Sequence, residues 1–180
     1  MSDQMSAENV KVAVLGSGSW GTTFANIVAD AADLARKNGE GPVAEVVLWG
    51  RRAEVVDAVN ESSENPDYFP GVTLNGGLRA TTDPAEALTG ARVVVLAVPS
   101  QTLRENLASW RGHIAEDAVV VSLMKGVELG TLMRMSQVVG EVLGLPWERI
   151  AVVSGPNLAR EIIERQPATA VVACPHEETA

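Results

Sequence analysis

The chain has 180 residues, 46% hydrophobic and 21% charged, with 14 Lys and Arg against 23 Asp and Glu for a net charge of −9. That balance is that of one globular domain long enough to bury a core, and it excludes a disordered or collagen-like chain. A pI near 4.7 with no basic stripe disfavours nucleic acid as a partner, so any anionic ligand needs a local concentration of positive groups.

Residues 1–9 read as a disordered arm. Residues 10–15 (VKVAVL) form a short β-branched run ending in glycine, which predicts a strand, and 20–37 predict a long helix. Further strands are predicted at 44–49 (AEVVLW), 91–98 (ARVVVLAV), 118–124 (AVVVSLM), 150–154 (IAVVS) and 168–174 (ATAVVAC). Helices fall between them near 52–61, 100–110, 129–144 and 157–165. A weaker strand at 77–81 precedes a short helix that Asp83-Pro84 would start well. The stretch 61–77, rich in Pro, Gly and turn formers, is a loop between units. Near-continuous Val, Ala and Ile runs belong to strands covered on both faces. The fold class is therefore α/β: a doubly wound, mostly parallel, Rossmann-like sheet with helices on both faces, spanning residues 10–174 and followed by a tail at 175–180.

Directly after the first strand comes Gly16-Ser17-Gly18-Ser19-Trp20-Gly21, a complete GxGxxG that leads into a helix. A pyrophosphate needs exposed backbone N–H groups at a helix N-terminus; the first two glycines permit the tight turn and close approach, and Gly21 lets the helix lie near the strand. The strand before and the helix after favour a dinucleotide site; the alternative is a set of glycines that only make a tight βα turn. At the end of the second strand stands Trp49-Gly50-Arg51-Arg52, where an acid would bond the ribose hydroxyls of NAD and a basic residue would meet the 2′-phosphate of NADP. Two guanidiniums, at about 1.5–3 kcal/mol per charge-assisted bond before solvent discounting, could favour NADP by one or two orders of magnitude. The alternative is a pair of solvated arginines opening a helix.

No apolar run reaches the roughly 18–20 residues needed to cross a bilayer, and MSDQMSAENVK lacks a basic n-region and an apolar h-region. A cytoplasmic protein without stable membrane insertion is expected. The single Cys174 excludes an intrachain disulfide and a multi-thiolate site, and His113 and His176 are too far apart to suggest a metal centre, so no metal is expected. Cys174 reads most simply as a buried small hydrophobe.

Five blocks, VAVLGSGSWGTTFA (12–25), NPDYFPG (65–71), VVVLAVPSQ (93–101), SLMKGVE (122–128) and SGPNLAREI (154–162), occur in the order and approximate spacing of bacterial NAD(P)-dependent glycerol-3-phosphate dehydrogenase, which the chain resembles from about Val10 to Cys174. The resemblance implies reversible hydride transfer between NADPH, or NADH, and dihydroxyacetone phosphate, giving sn-glycerol 3-phosphate for phospholipid synthesis. It also implies that Ser19 and Trp20 contact the cofactor, that Arg51 and Arg52 occupy the adenosine-phosphate position, and that Lys125 touches cofactor and substrate. Gly155 and Asn157 would meet the substrate and Ala159 the cofactor, with Tyr68 in a family motif of less definite role. Many relatives carry a small hydroxyl residue where this chain has Asn157. The family's all-helical second domain, which supplies a lysine base and substrate-phosphate contacts, would follow this point. The chain is thus expected to be the cofactor-binding half, inactive alone, with any homodimer formed through that second domain.

The residues themselves leave several roles open. Reducing a ketone leaves an alkoxide, which needs a positive or proton-donating group and a dry pocket. Lys125, after the fifth strand at the carboxyl edge, could polarise that carbonyl or be an ordinary surface lysine. Gly155-Pro156-Asn157 opens a helix, where backbone donors could meet an anion and Asn157 could act as cap. Ser100 reads as a helix cap rather than a nucleophile, and Trp20 either covers the cofactor turn or packs in the core. Two other readings stand beside the first: another NADP-dependent dehydrogenase, of the 3-hydroxyacid type, and a noncatalytic NADP sensor.

Overall fold

The computed structural model describes residues 9–39 and 43–180. All but the last residue of the expected N-terminal arm lies outside that range. Seven strands form one sheet in the order β3-β2-β1-β4-β5-β6-β7. They are β1 Val10–Leu15, β2 Ala44–Trp49, β3 Arg79–Thr81, β4 Val93–Leu96, β5 Val119–Ser122, β6 Ile150–Ser154 and β7 Val171–Ala173. Every pairing is parallel except β6 with β7. The helices are α1 Ser19–Asn38, α2 Ala53–Ser62, α3 Pro84–Leu88, α4 Leu103–Trp110, α5 Met135–Leu143 and α6 Ala159–Ile163.

Alternation along β1 explains why an unbroken apolar run is needed. Ala13 and Leu15 face a core that includes Leu88 of α3, Leu103 and Leu107 of α4 and Val138 of α5. Val12 and Val14 face the opposite core, with Ala25 and Ala29 of α1, Val56 of α2 and Ile163 of α6. Both faces are dry, so neither alternate set can be polar. The strand order reverses between β1 and β4, which opens a crevice at the carboxyl ends of the strands, where ligands of open α/β sheets bind.

The bounds expected for β1, β2 and β6 hold to the residue. Helix α1 extends one residue beyond its expected bounds at each end and α2 is shifted by one, whereas several other elements are shorter. Helix α5 starts at Met135 rather than 129, because Gly130 and Leu132 take positive φ (87° and 59°), which no helix interior accepts. Residues 123–134 instead form a loop closed by a Val127–Arg134 bridge and a Glu128 N–H bond to the Met133 carbonyl. Helix α6 covers only Ala159–Ile163: Leu158 is extended before it, and Arg165 lies at φ 64° after it. Strands β4 and β5 have four residues each where eight and seven were expected, their flanks running into the connecting loops. Ser100 opens a short 3₁₀ turn before α4 and makes no cap bond. Asp83 does cap α3, accepting from the Ala85 N–H at 2.9 Å, with Pro84 at the first helical position.

Candidate functional site

The three motif glycines do three separate jobs. Gly16 has φ 127°, and a Cβ there would stand 2.5 Å from the Ala97 carbonyl oxygen, so the turn after β1 presses on the end of β4. A Cβ at Gly21 would come to 1.8 Å from the Gly16 oxygen, so α1 can approach its own strand only with glycine there. Gly18, the residue before α1, faces open space, its nearest neighbour to a built Cβ being the Tyr68 hydroxyl at 4.0 Å. The first turn of α1 carries no acidic residue, and the turn bond made by Thr22 N–H to the Gly18 carbonyl leaves the preceding helical N–H groups without intrahelical acceptors. Those donors and the helix dipole favour an anion.

A buried side chain from the 63–78 loop holds this turn in shape. Asn65, with no exposed surface, donates through Nδ2 to the Ser17 carbonyl at 3.0 Å and to the Thr22 hydroxyl at 2.8 Å. Thr22 Oγ1 in turn donates to the same Ser17 carbonyl at 3.3 Å. The sequence gives no spacing rule that joins residue 65 to residue 17, so this contact could be found only in the fold.

Two adjoining clefts share Ser19 and Trp20. The first, about 480 Å³, is lined by residues 16–20, the segment 49–52, Tyr68 and residues 97–99. Arg51 and Arg52 are exposed at the end of β2. Arg52 precedes α2 and pairs with Asp67, whereas Arg51 has no ion pair among the described residues. Arg52 thus stands at the opening of a helix while both arginines line the cleft, and Trp20 packs against the core while lining both clefts.

The second cleft, about 290 Å³, brings together Leu123, Lys125, Ser154, Asn157 and Ala159. Lys125 Nζ donates to the Gly155 carbonyl at 3.4 Å. Asn157 Oδ1 is buried without a hydrogen-bond partner among the described residues, as is Asn65 Oδ1 beside the glycine turn, so the cleft has a free acceptor in Asn157. Asn157 does not cap α6; Leu158 holds that position, and the five-residue helix is too short to provide a strong dipole. The Thr23 hydroxyl reaches the Ala159 carbonyl at 3.3 Å and ties α6 to α1. Gly155 packs against the 169–170 segment, a built Cβ lying 2.5 Å from the Thr169 oxygen.

Lys125 owes its place to a braced loop. Gln101 donates to the Val127 carbonyl and accepts from the Leu129 N–H, both at 2.9 Å. Arg104 grips Glu128 with two bonds, at 2.8 and 2.9 Å, and reaches Glu141 at 2.6 Å. Arg104, with help from Thr131, lowers the Glu128 carboxyl to a pKa of about 2, and the two carboxylates raise that of Arg104.

A larger hollow, about 710 Å³, lies between α1 and residues 162–166 and holds none of the expected site residues. Asn75 there donates to both Asp30 and Asp33 at 2.9 Å, and this contact is the main cause of a lowered Asp33 pKa. The hollow's two carboxylates are offset by Lys37 and Arg165 in the same lining, and Arg165 pairs with Asp30 at 3.0 Å. Cys174 is half-buried rather than buried, its thiol directed at the Glu148 carbonyl 3.5 Å away. Among the described residues no cluster of His, Cys, Asp and Glu suits a metal, and no helix is long and apolar enough to cross a membrane.

Residues 11–180 match the family described as NAD-dependent glycerol-3-phosphate dehydrogenase N-terminus. The chain is 65% identical over 170 residues to glycerol-3-phosphate dehydrogenase [NAD(P)+] of Thermobifida fusca, covering 94% of this chain and 48% of that protein. It therefore spans about half the length of the curated relatives it matches. Solved structures of glycerol-3-phosphate dehydrogenase from Plasmodium falciparum (27% identity, TM-score 0.83) and Coxiella burnetii (27%, 0.79) superpose on 96% and 94% of this chain and are matched over 47% and 48% of their own.

Proposed function

The chain belongs to the NAD-dependent glycerol-3-phosphate dehydrogenase N-terminal family, and from that premise we propose that it binds a nicotinamide dinucleotide and serves reversible hydride transfer between dihydroxyacetone phosphate and sn-glycerol 3-phosphate, the precursor of glycerophospholipids. The observation that carries this reading is the junction of two unlike clefts at Ser19 and Trp20, one rich in backbone donors and the other holding Lys125 and an unpartnered Asn157 oxygen.

The residues fit the cofactor. Gly18 leaves open the space that a side chain would fill, and Gly16 and Gly21 allow the turn beneath it. Residues 16–20 would hold the pyrophosphate, Arg51 and Arg52 the adenosine end, and Lys125, Asn157 and Ala159 the nicotinamide end. Bound there, the nicotinamide supplies or accepts the hydride. Lys125 places an ammonium at the cleft, where it stabilises negative charge growing on a substrate carbonyl oxygen. The Asn157 oxygen accepts a hydrogen bond from substrate or cofactor amide, and Trp20, Leu123 and Val153 keep the cleft partly apolar, which strengthens both contacts. In this reading residues 10–174 are the dinucleotide-binding domain. The lysine base, the substrate-phosphate contacts and any dimer interface come from the relatives' remaining half, and the setting is the cytoplasm.

Fluorescence titration of the chain with NADPH and NADH tests this reading. Both coenzymes should bind, and R51A/R52A should weaken NADPH by about ten- to a hundredfold while sparing NADH. Equal weakening of the two would contradict recognition of a 2′-phosphate. Dihydroxyacetone phosphate, and not a 3-keto acid, should perturb bound NADPH, with no turnover by this chain alone.

A further inference from the structure

Arginines at the end of β2 speak for a 2′-phosphate, and the acid that would speak for a ribose hydroxyl is missing from that segment of sequence. The fold supplies one from elsewhere. Asp67, on the loop after α2, forms an ion pair with Arg52, which lines the dinucleotide cleft, and its chain neighbour Tyr68 lines the cleft as well. We propose that Asp67 is a specificity-determining residue that withholds Arg52 from a 2′-phosphate and thereby keeps the cleft open to NAD as well as NADP. This rests on the dinucleotide reading above.

The position of Asp67 is fixed on both sides. Two residues before it, buried Asn65 is bonded to the glycine turn. Immediately after it, Tyr68 lines the cleft, and Phe69 is buried in the core. The N–H groups of Tyr68 and Phe69 both bond back to the Asn65 carbonyl, at 3.3 and 2.8 Å, so a tight turn carries the carboxylate. Arg52 and Asp67 keep 54% and 38% of their side-chain surface exposed, so an incoming ligand can reach either group.

The electrostatics then divide the two coenzymes. A 2′-phosphate, nearly dianionic at neutral pH, meets in Arg51 a cation without an ion pair among the described residues, and must take Arg52 from a carboxylate that also repels it. A 2′-hydroxyl carries no charge, so it meets no such repulsion and has no need to break the Arg52–Asp67 pair. Removing the carboxylate's charge therefore favours only the phosphorylated coenzyme.

The test is titration of wild type, D67N, D67E, R52A and R52A/D67N with NADPH and NADH at low and high salt. D67N should bind NADPH about fivefold more tightly, with NADH unchanged or slightly weaker, and the gain should shrink at high salt. D67E should return the NADPH-to-NADH ratio to that of wild type, and in the R52A background D67N should lose most of its effect. An unchanged ratio in D67N, or a full gain that survives without Arg52, would overturn the assignment while leaving dinucleotide binding intact. Wild type binding neither coenzyme would overturn both. Unchanged thermal midpoints for D67N and D67E separate the ratio from a loss of fold.

Discussion

The two clefts that meet at Ser19 and Trp20 are built in different ways. The glycine cleft comes largely from one unbroken strand–turn–helix, β1 through the start of α1, and its shape is backbone against backbone. The Lys125 cleft is assembled from the 123–134 loop, the end of β6 and the entry to α6, and that loop is held by side chains more than twenty residues away in sequence, Gln101 and Arg104. The first should therefore fail abruptly when a methyl group is added, and the second should yield by degrees.

The largest expected effect comes from contrasting two glycines of the same motif. G21A drives a Cβ into the Gly16 carbonyl and should cost about 3 kcal/mol or more, read by urea unfolding, with dinucleotide affinity falling alongside. G18V has a compatible backbone (φ −73°) and open space around the side chain, so stability should hold within about 0.5 kcal/mol. Affinity for NADPH and NADH should nevertheless fall at least about tenfold in G18V. If G18V unfolds the chain or G21A is neutral, this division of labour is wrong.

Next in size is N65A. It leaves the half-buried Ser17 carbonyl with one donor fewer, and the buried Thr22 hydroxyl without its Asn65 donor, and should cost about 1–3 kcal/mol. Because the turn itself loosens, both coenzymes should weaken to the same extent, unlike the selective shift expected at Asp67. A change in the NADPH-to-NADH ratio in N65A would erase that distinction.

The smallest effect belongs to the brace of the Lys125 loop. The Glu128 carboxyl, held near 2 by Arg104 against an ordinary 4.5, adds stability that is complete above about pH 4.5 and is lost as pH falls through about 2. In acid titrations monitored by circular dichroism, E128Q should flatten that part of the stability profile and leave the neutral range parallel to wild type. Unchanged acid sensitivity in E128Q would remove Glu128 from the loop's support.

The same contrast governs what the sequence reveals. Local periodicity gives the bounds of β1, β2 and β6, because a strand covered on both faces must be apolar at every position. The glycine motif is equally legible, since its jobs concern residues within six positions of one another or a neighbouring strand end. The start of α5 is not: MRMSQVVG follows a segment with helical spacing, and only the left-handed Gly130 and Leu132, with the Arg104–Glu128 grip, keep it a loop. Lys125, Gly155 and Asn157 stand out through resemblance to relatives rather than periodicity. Asn65 and Asp67 act across the fold on Ser17 and Arg52, and no local pattern announces such pairings.

The most direct measurement is a crystal structure of the chain grown with excess NADPH. The expected result is a pyrophosphate on the main-chain donors of residues 16–20, the adenosine end beside Arg51, and the nicotinamide reaching past Trp20 to Lys125 and Asn157. A coenzyme lodged in the hollow beside Asp30 and Asp33, or bound with the glycine turn untouched, would contradict it.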